Sequence, residues 1–438
     1  MKSGVAASFD CGNSGGSSEG IPGKTKPLVS VVIATHNRAH CLPDAIDSIY
    51  AQEGLGSLYD LEVIVVDDAS TDATPEVIRR YPQLKCIRLS ESRGVSAAVN
   101  AGLRACQGSY ITFLDDDDEW LPHKLRIQVP ALETHPDVGV VYGQSIVRFD
   151  GREQFSPHPS QAPSGRVFEP LLLCNFCGHH ASLVVRRGAF DRAGYFDESL
   201  MSYEDWDLSL RLAFHVAFLF IPGAVDVHNV SPHGLWRSRD ATGVGSEDAA
   251  RVIEKNLRML PEGPSYAEFK RKARARNALD TAPRMADPAQ AWAKVVATLR
   301  EYPEVAGDAW VQARATEVLH RLIFLSEQST PDVHKICWQL KTATRHSGKT
   351  GRGWAQQTIA PILVEIASDP RTSDRDGLCA AAYAFANEPS CRTRQKLLLR
   401  AIVRSILGRW AYAACMTLYR KVKRVEPEPL VAKGSHAR

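Results

Sequence analysis

The stretch Ile111-Thr112-Phe113-Leu114-Asp115-Asp116-Asp117-Asp118-Glu119-Trp120-Leu121-Pro122 constrains this chain most. Four apolar or β-branched residues run directly into five consecutive acids. The first four read as a strand by pattern and propensity, and they are too few for a helix. The acids then fall at the strand's carboxyl end, where an open α/β sheet places its ligands. Five like charges need a counter-charge, and a divalent metal carrying a diphosphate would supply one. The plainer reading is an acidic surface loop, or a helix N-terminus favoured by its dipole. The apolar strand before the acids and Trp120-Leu121-Pro122 after them count against a free loop.

The segments around this stretch alternate. Leu28 to Ala34 is a buried strand broken by Thr35-His36-Asn37-Arg38, and Leu42, Ile46 and Ile49 then space one apolar helix face. A second strand, Leu61 to Val66, ends in Asp67-Asp68-Ala69-Ser70-Thr71-Asp72 before a helix from about Ala73 to Tyr81. A third short strand covers Leu84 to Leu89, a helix covers Gly94 to Ala105, and Tyr110 to Leu114 is the fourth strand. A βαβαβαβ order implies parallel strands with helices on both faces, and crossover handedness makes it a nucleotide-binding half. Yet Thr-His-Asn-Arg stands where a Gly-x-Gly-x-x-Gly turn would, and no Gly-x-x-x-x-Gly-Lys-Ser/Thr motif occurs. A dinucleotide oxidoreductase and a P-loop enzyme are therefore disfavoured, and a diphosphate would need a metal at the acids instead.

Later segments add a helix from Leu121 to Leu132, with His123 and Lys124 solvated, and a strand from Val138 to Arg148. Tyr142-Gly143 could approach a ligand, and Gln154 to Gly165 reads as a Pro/Ser-rich loop. Val216 to Pro222 is a further strand. Cys174-x-x-Cys177-x-His179-His180 partly fits zinc spacing. Its isolation and the adjacent histidines favour pocket or core residues instead.

Taken together, Val31 to Arg38, Val65 to Asp72, Arg93-Gly94, Phe113 to Trp120, Gly194 to Glu198 and Glu204 to Arg211 resemble inverting family-2 glycosyltransferases with the glycosyltransferase-A (GT-A) fold. The resemblance covers residues 28 to about 230. It implies an α/β, Rossmann-like nucleotide-diphospho-sugar transferase domain. By the same resemblance Thr35, Asn37 and Arg38 lie in the first-strand loop that meets the nucleotide. Asp68 looks like the acid that pairs with uracil N3, a use that fits a carboxylate as hydrogen-bond acceptor. Arg93 falls where the family has a basic residue near the base or diphosphate. Asp115 and Asp117 form the Asp-x-Asp motif, with Asp116 near the ribose and Asp117 as metal ligand. Oxygen ligands suit Mn²⁺ or Mg²⁺. His228 sits where similar enzymes supply a histidine near metal or diphosphate, although a lone histidine is more often structural. Asp205 resembles the catalytic base and Glu204 an acceptor-orienting acid, while Asp207 could simply cap its helix. For Asp67, Asp72 and Asp118 a structural turn or cap role is as good a reading.

Past the resemblance, residues 246–424 read as helical, including Glu247 to Leu260, Tyr266 to Leu279, Pro288 to Arg300 and Asp308 to Ser326. A catalytic domain over 27–245, a helical domain over 246–424, and loose ends at 1–26 and 425–438 follow. His233, Trp236, Arg237 and Arg239 are candidates for a lid over the pyrophosphate. The run Lys270-Arg271-Lys272-x-Arg274-x-Arg276 could bind RNA, but few aromatics interleave it, and a solvated helix face is the simpler reading. Residues 389–425 contain no acid. They fit either an interfacial helix beside anionic lipid or a last bundle helix.

At 438 residues the chain is long enough for two or three domains. Net charge of +3 offers no argument for a nucleic-acid partner. Ten cysteines without a disulfide-like framework, no signal-peptide run and no 18-residue apolar stretch point to a cytoplasmic protein, peripheral at most to the membrane. The expectation is a metal-dependent inverting transferase. It takes a nucleotide sugar, most simply a UDP-sugar, to a glycan, lipid-linked or peptide acceptor. A sugar nucleotidyltransferase and a noncatalytic scaffold are the alternatives. The Glu204-Asp205 centre argues against the first, and the full set of acids against the second.

Overall fold

In the computed structural model, described residues are 25–149, 151–157, 162–230, 244–285, 287–308, 310–311, 313–315 and 317–318. The expected lid, the interfacial or bundle helix and both loose ends lie outside them, apart from residues 25 and 26. The chain divides into two compact units. The first holds the described residues up to Leu171, Asn175–Ser199, and Glu204 to 230; the second holds Leu172–Cys174, Leu200–Tyr203 and the later helices.

The first unit is built on one mixed sheet. Strands β1 (Leu28–Thr35), β2 (Asp60–Asp67), β3 (Lys85–Arg88) and β4 (Tyr110–Phe113) come in the order anticipated. Strand β1 pairs in parallel with β2 on one side and β4 on the other, and β3 extends β2. Their connections are helices α1 (Leu42–Tyr50), α2 (Thr74–Ile78) and α3 (Val95–Ala105). Val29, Val31, Ile33, Val63 and Val65 are buried, as are Leu42, Ile46 and Ile49 of α1. Truncating one of these large side chains, as in Ile46→Ala, leaves a cavity costing about 2–5 kcal/mol. Close packing also dictates glycine. A Cβ on Gly102 in α3 would come within 2.5 Å of Val32 on β1.

The sheet then departs from the parallel pattern. Strands β5 (Glu119–Trp120), β6 (Val138–Phe149), β7 (Arg152–Ser156), β8 (Leu183–Arg186) and β9 (Ala217–Asn229) complete it. The order is β3-β2-β1-β4-β8-β6-β9-β5, with β7 on β6. Strand β8 runs antiparallel to β4, so its start lies at the carboxyl end of β4. The loop expected from Gln154 pairs instead as far as Ser156, because β6 continues to Phe149 and offers it an edge. Strand β9 is longer than Val216 to Pro222 and carries His228 along the far half of β6. Tyr142 is fully buried in this region, packed near Phe176, Phe218 and Phe220, with its hydroxyl donating to Pro163 O. It is a core residue, not one presented to a ligand.

Helix α4 spans Lys124–Thr134, a turn later than the pattern suggested. Chain pairing persists past β5, since Leu121 N donates to Val225 O, and the Gln52 amide accepts from Leu125 N while donating to Leu121 O. This delay turns Lys124 inward. Its ammonium is fully buried, donates to Gln128 Oε1 at 2.6 Å and lies over the Trp120 ring. His123 is half-buried and bonded to Ala224 O. Neither residue is solvated as expected. The remaining helices of this unit are α5 (Phe168–Leu173, whose end belongs to the second unit), α6 (Phe190–Ala193) and α7 (Glu204–His215).

The second unit contains α8 (Val244–Leu257), α9 (Pro264–Thr281) and α10 (Pro288–Glu301), close to the helices anticipated there. Ala249, Val252, Ile253, Ala273, Leu279, Trp292, Val295 and Leu299 are buried. The basic run of α9 is matched by acids: Lys270 with Glu262, Arg271 with Glu304, Arg274 with Glu254, and Lys272 and Arg276 with Asp308. These cations brace helices against neighbouring segments. No described helix is long and apolar enough to cross a membrane.

Burial pushes the Lys124 ammonium down to about 7, against the opposing pull of Asp226. The unfolded chain therefore holds more protons than the folded one between about pH 7 and the ordinary lysine range. Stability from this group rises as pH climbs through that window and is lowest below about 7. Urea denaturation at pH 7 and pH 9 should show Lys124→Met losing the part of this rise that Lys124 supplies. An identical rise in the variant would contradict a buried, neutralising lysine.

Candidate active site

The carboxyl ends of β1, β2 and β4 meet because these strands are parallel neighbours in register. Thr35 to Arg38, Asp67 to Asp72 and Asp115 to Asp118 therefore share one edge of the sheet. Asn37 fastens the first two loops together. Its Oδ1 accepts from Thr71 N at 2.7 Å and from Asp72 N at 3.3 Å, and its own N–H donates to Ser70 Oγ. Asp68 is buried and accepts from Ser92 Oγ, Arg93 N and Gly94 N at 2.8–2.9 Å. It therefore secures the loop that enters α3, a task the sequence did not disclose. A carboxylate has about four lone-pair sites, so these three bonds leave one for a further donor. The Arg93 side chain is exposed and reaches Glu198 at 3.2 Å. Asp67 accepts from Ser70 N and pairs with Arg88, and Asp72 accepts from Thr74 at the start of α2. Both acids have the structural roles allowed for them.

Each of the four aspartates after β4 meets a different group. Asp115 Oδ1 lies 3.2 Å from His180 Nε2. Burial alone would raise its carboxyl, but His180 and the nearby His179 and His228 hold it well below the usual range. Asp116 is buried beside Thr35, and burial with the charge of Asp117 pushes it up to about 7. Asp117 Oδ2 accepts from Arg38 at 3.2 Å, while burial and the flanking Asp115 and Asp118 raise its carboxyl. Asp118 is fully buried and accepts from Asn229 N at 2.8 Å, with His228 Nδ1 also at 2.8 Å. It does not cap α4. It ties the acidic loop to the end of β9.

Histidine supplies most of the nearby cationic groups. The His179 and His228 rings stack with centroids 4.3 Å apart. His179 Nε2 lies 2.9 Å from Asp226, which outweighs burial and pushes the imidazole up to about 10. One ligand atom each from Asp118, His179 and His228 lies within 4.8 Å of the others. His179 Nδ1 is buried with no hydrogen-bond partner among the described residues. This nitrogen, 3.8 Å from Asp118 Oδ2, would suit a divalent cation taking N and O ligands once the imidazole gives up its proton. Cys174 is exposed and Cys177 buried, and this metal-capable group includes neither.

The second chemical centre is the first turn of α7. Glu204, Asp205 and Asp207 all fall there, where the helix dipole favours acids. They do different things. Asp207 is fully buried and accepts from Arg211 Nε at 2.8 Å, one turn on, so it is structural. Trp206 packs beneath and donates to Leu171 O. Asp205 Oδ1 accepts from Trp206 N, and burial raises its carboxyl while His180 opposes the rise. Thus His180 lies among Phe113, Asp115 and Phe196, and its charge acts on Asp205, although the sequence placed it only in a pocket or the core.

Backbone strain marks the same places. Among the described residues, the non-glycine residues with positive φ are Asn37 at 55°, Ala69 at 58° and Tyr203 at 61°. Each is a sequence-assigned site residue or adjoins one. Such conformations cost about 1–3 kcal/mol and cluster at functional sites.

Residues 30–192 match the family model described as Glycosyl transferase family 2. An uncharacterized glycosyltransferase of Rickettsia prowazekii is 30% identical over 198 residues, 44% of this chain and 61% of that relative. YwdF, an uncharacterized glycosyltransferase of Bacillus subtilis, is 29% identical over 236 residues, 52% of this chain and 84% of YwdF. The succinoglycan biosynthesis protein ExoO of Rhizobium meliloti is 38% identical over 128 residues, 29% of this chain and 36% of ExoO. The chain spans about three fifths of the first of these relatives. Among solved structures, S. aureus TarS 1-349 in complex with UDP-GlcNAc overlays with a TM-score of 0.49 at 17% identity, over 74% of this chain and 91% of that one. The acids after β4 and the Asp68 loop stand at one edge of the mixed sheet, within the residues 30–192 that match the glycosyl transferase family 2 model.

Proposed function

We propose that this protein transfers a sugar from a nucleotide-sugar donor, most simply a UDP-sugar, to an acceptor hydroxyl with inversion at the anomeric carbon. The observation that carries the reading is the acidic run Asp115 to Asp118 at the carboxyl end of β4, with the Asp115 charge acting on the α7 acid Asp205. The remaining acceptor position of Asp68 suits the imide N–H of a uracil, and Asp116 beside Thr35 suits a ribose hydroxyl. Asn37 holds the loop that meets the base, and Arg38 and Arg93 supply cations for the diphosphate. Asp117 and His228 are the proposed ligands of Mn²⁺ or Mg²⁺; His228 also forms a metal-capable group with Asp118 and His179, which does not include Asp117. When bound, such an ion would neutralise charge on the departing diphosphate.

Asp205 acts on the acceptor side. The acceptor oxygen attacks the anomeric carbon, the bond from that carbon to the diphosphate oxygen breaks, and the hydroxyl proton passes to the Asp205 carboxylate. An α-linked donor then gives a β product. Glu204 orients the acceptor, which is a glycan, a lipid-linked saccharide or a peptide. The helices after Val244 would shape that choice.

Asp205→Asn is nearly isosteric and removes the proton acceptor. UDP release from a panel of UDP-glucose, UDP-galactose and UDP-N-acetylglucosamine should fall about 10²-fold or more, with UDP affinity kept. Asp207→Asn should instead lower Tm, since it unpairs Arg211. In the wild type the acid limb of the rate profile should lie above the ordinary aspartate value, because burial raises Asp205. Wild-type turnover by Asp205→Asn would remove the base from this residue.

Cation binding should also depend on pH. Below about 7 Asp116, next to the proposed ligand Asp117, takes up a proton, and losing that negative charge weakens the attraction for a cation. Mn²⁺ affinity, followed by electron paramagnetic resonance, should therefore be weaker at pH 6 than at pH 8. Equal affinity would contradict an ion held among these acids.

A further inference from the structure

The segment that leads into α7 is held by a residue from much later in the chain. Met201 N and Ser202 N donate to one oxygen, Asp248 Oδ2, at 2.8 and 3.0 Å, across 47 and 46 residues of sequence. Leu200–Tyr203 belong with α8 in the second unit, so this anchor is internal to that unit. Asp248 lies on the buried stripe of α8 with Ala249, Val252, Ile253 and Leu257, and it is 3% exposed. A carboxylate in an apolar stripe is costly unless its oxygens are paired. Here both are, since Oδ1 accepts from Arg251 Nη1 at 2.8 Å. Tyr203 follows the two anchored amides with φ at 61°, and Glu204, the first residue of α7, comes next. A non-glycine residue persists in that conformation only where its surroundings over-determine it. Tyr203 has the anchored amides on one side and the start of a helix on the other.

We propose that Asp248 is a positioning residue for the acceptor-side acids: by fixing the Met201 and Ser202 amides it sets where α7 begins, and so where Glu204 and Asp205 stand. The proposal rests on the reading of Asp205 as the base. Bonds from backbone N–H to an ionised carboxylate are about twice as strong as neutral ones. Two of them from consecutive amides fix the direction of the backbone as well as its position, which one bond would not. The path to the base is short, since Ser202 is three residues from Asp205 and the latter lies in the first turn of α7. Tyr203, the residue between anchor and helix, occupies the small left-handed region, which leaves little room to absorb a shift. A displaced loop is therefore passed on to the first turn of α7. Asp68 and the acids after β4, which serve the donor in this reading, belong to the first unit and make no bond to Asp248 among those described. Donor affinity should not follow the anchor.

The test uses the full chain and four proteins: wild type, Asp248→Ala, Asp205→Asn and the double variant. Hydrogen exchange of the Met201 and Ser202 amides, read by mass spectrometry, should quicken about tenfold or more in Asp248→Ala. UDP release from the best of the three UDP-sugars should fall about 10²-fold, the scale of a misplaced reacting group. The Kd for UDP in Mn²⁺ should change less than about threefold, because the loss is in positioning and not in uniform binding. Asp248→Asn, which keeps an acceptor oxygen for the two amides, should retain more of the rate. In the Asp205→Asn background, Asp248→Ala should cost less than about threefold more, since a base already removed cannot be misplaced. Wild-type turnover or unchanged amide exchange in Asp248→Ala would overturn the anchor. So would equal losses in both backgrounds, or a rate loss matched by a loss of UDP affinity. Wild-type turnover by Asp205→Asn alone would instead overturn the base assignment and the anchor's part in turnover with it, so the two failures are distinct. Should Asp248→Ala fail to fold by circular dichroism, Asp248→Asn runs the same cycle with a smaller expected loss.

Discussion

Repulsion among Asp115, Asp116, Asp117 and Asp118 is the constraint on which the rest of the site depends. Four carboxylates on successive residues cannot all be buried and ionised without counter-charge. The fold answers with a different neighbour for each: His180 for Asp115, Thr35 for Asp116, Arg38 for Asp117 and His228 for Asp118. Those neighbours come from β1, from the segment before β8 and from the end of β9. The order β1-β4-β8-β6-β9-β5 is what brings them to one place. Asp226 and the buried Lys124 extend the charge network behind His179. The compensation is uneven, since Asp116 and Asp117 are still raised by burial and by their neighbours. A cation bound there, as proposed, would relieve that residual electrostatic cost.

The same geometry separates two kinds of acid. Asp67, Asp72, Asp118 and Asp207 have their bonds satisfied within the fold. Asp68 is intermediate, with three bonds to one loop and room for one more. Asp117 keeps a partner, Arg38, and both side chains are partly exposed. Asp205 sits in the first turn of α7, with His180 as its chief positive influence.

Much of this was legible in the sequence. The strand and helix periods of residues 28–114 are strong because β1, β2 and β4 are largely buried on both faces, with the short exposed β3 at the sheet edge, so the βαβαβαβ order could be read directly. The acids after Phe113 were visible as a run. What could not be read were partners set by non-local pairing. His179 and His180 looked like part of a doubtful zinc motif because nothing local reveals that β8 will lie antiparallel to β4. Lys124 looked solvated because a helix from Leu121 would place it outward. The Leu121–Val225 bond that delays the helix comes from a strand a hundred residues away. Asp118 looked like a cap for a similar reason, its true partners being His228 and Asn229 on β9. The basic run of α9 misled in the other direction, since its acidic partners Glu254, Glu262, Glu304 and Asp308 are scattered along the chain.

The most direct test of the acidic cluster as a cation-bridged diphosphate site is isothermal titration of UDP into the full chain with and without Mn²⁺. Affinity should be about tenfold or more tighter with the ion, equivalent to at least about 1.4 kcal/mol. Asp117→Asn should remove most of that difference. Equal UDP affinity in the two conditions, or a Mn²⁺ effect undiminished in Asp117→Asn, would contradict a cation held there between protein and donor.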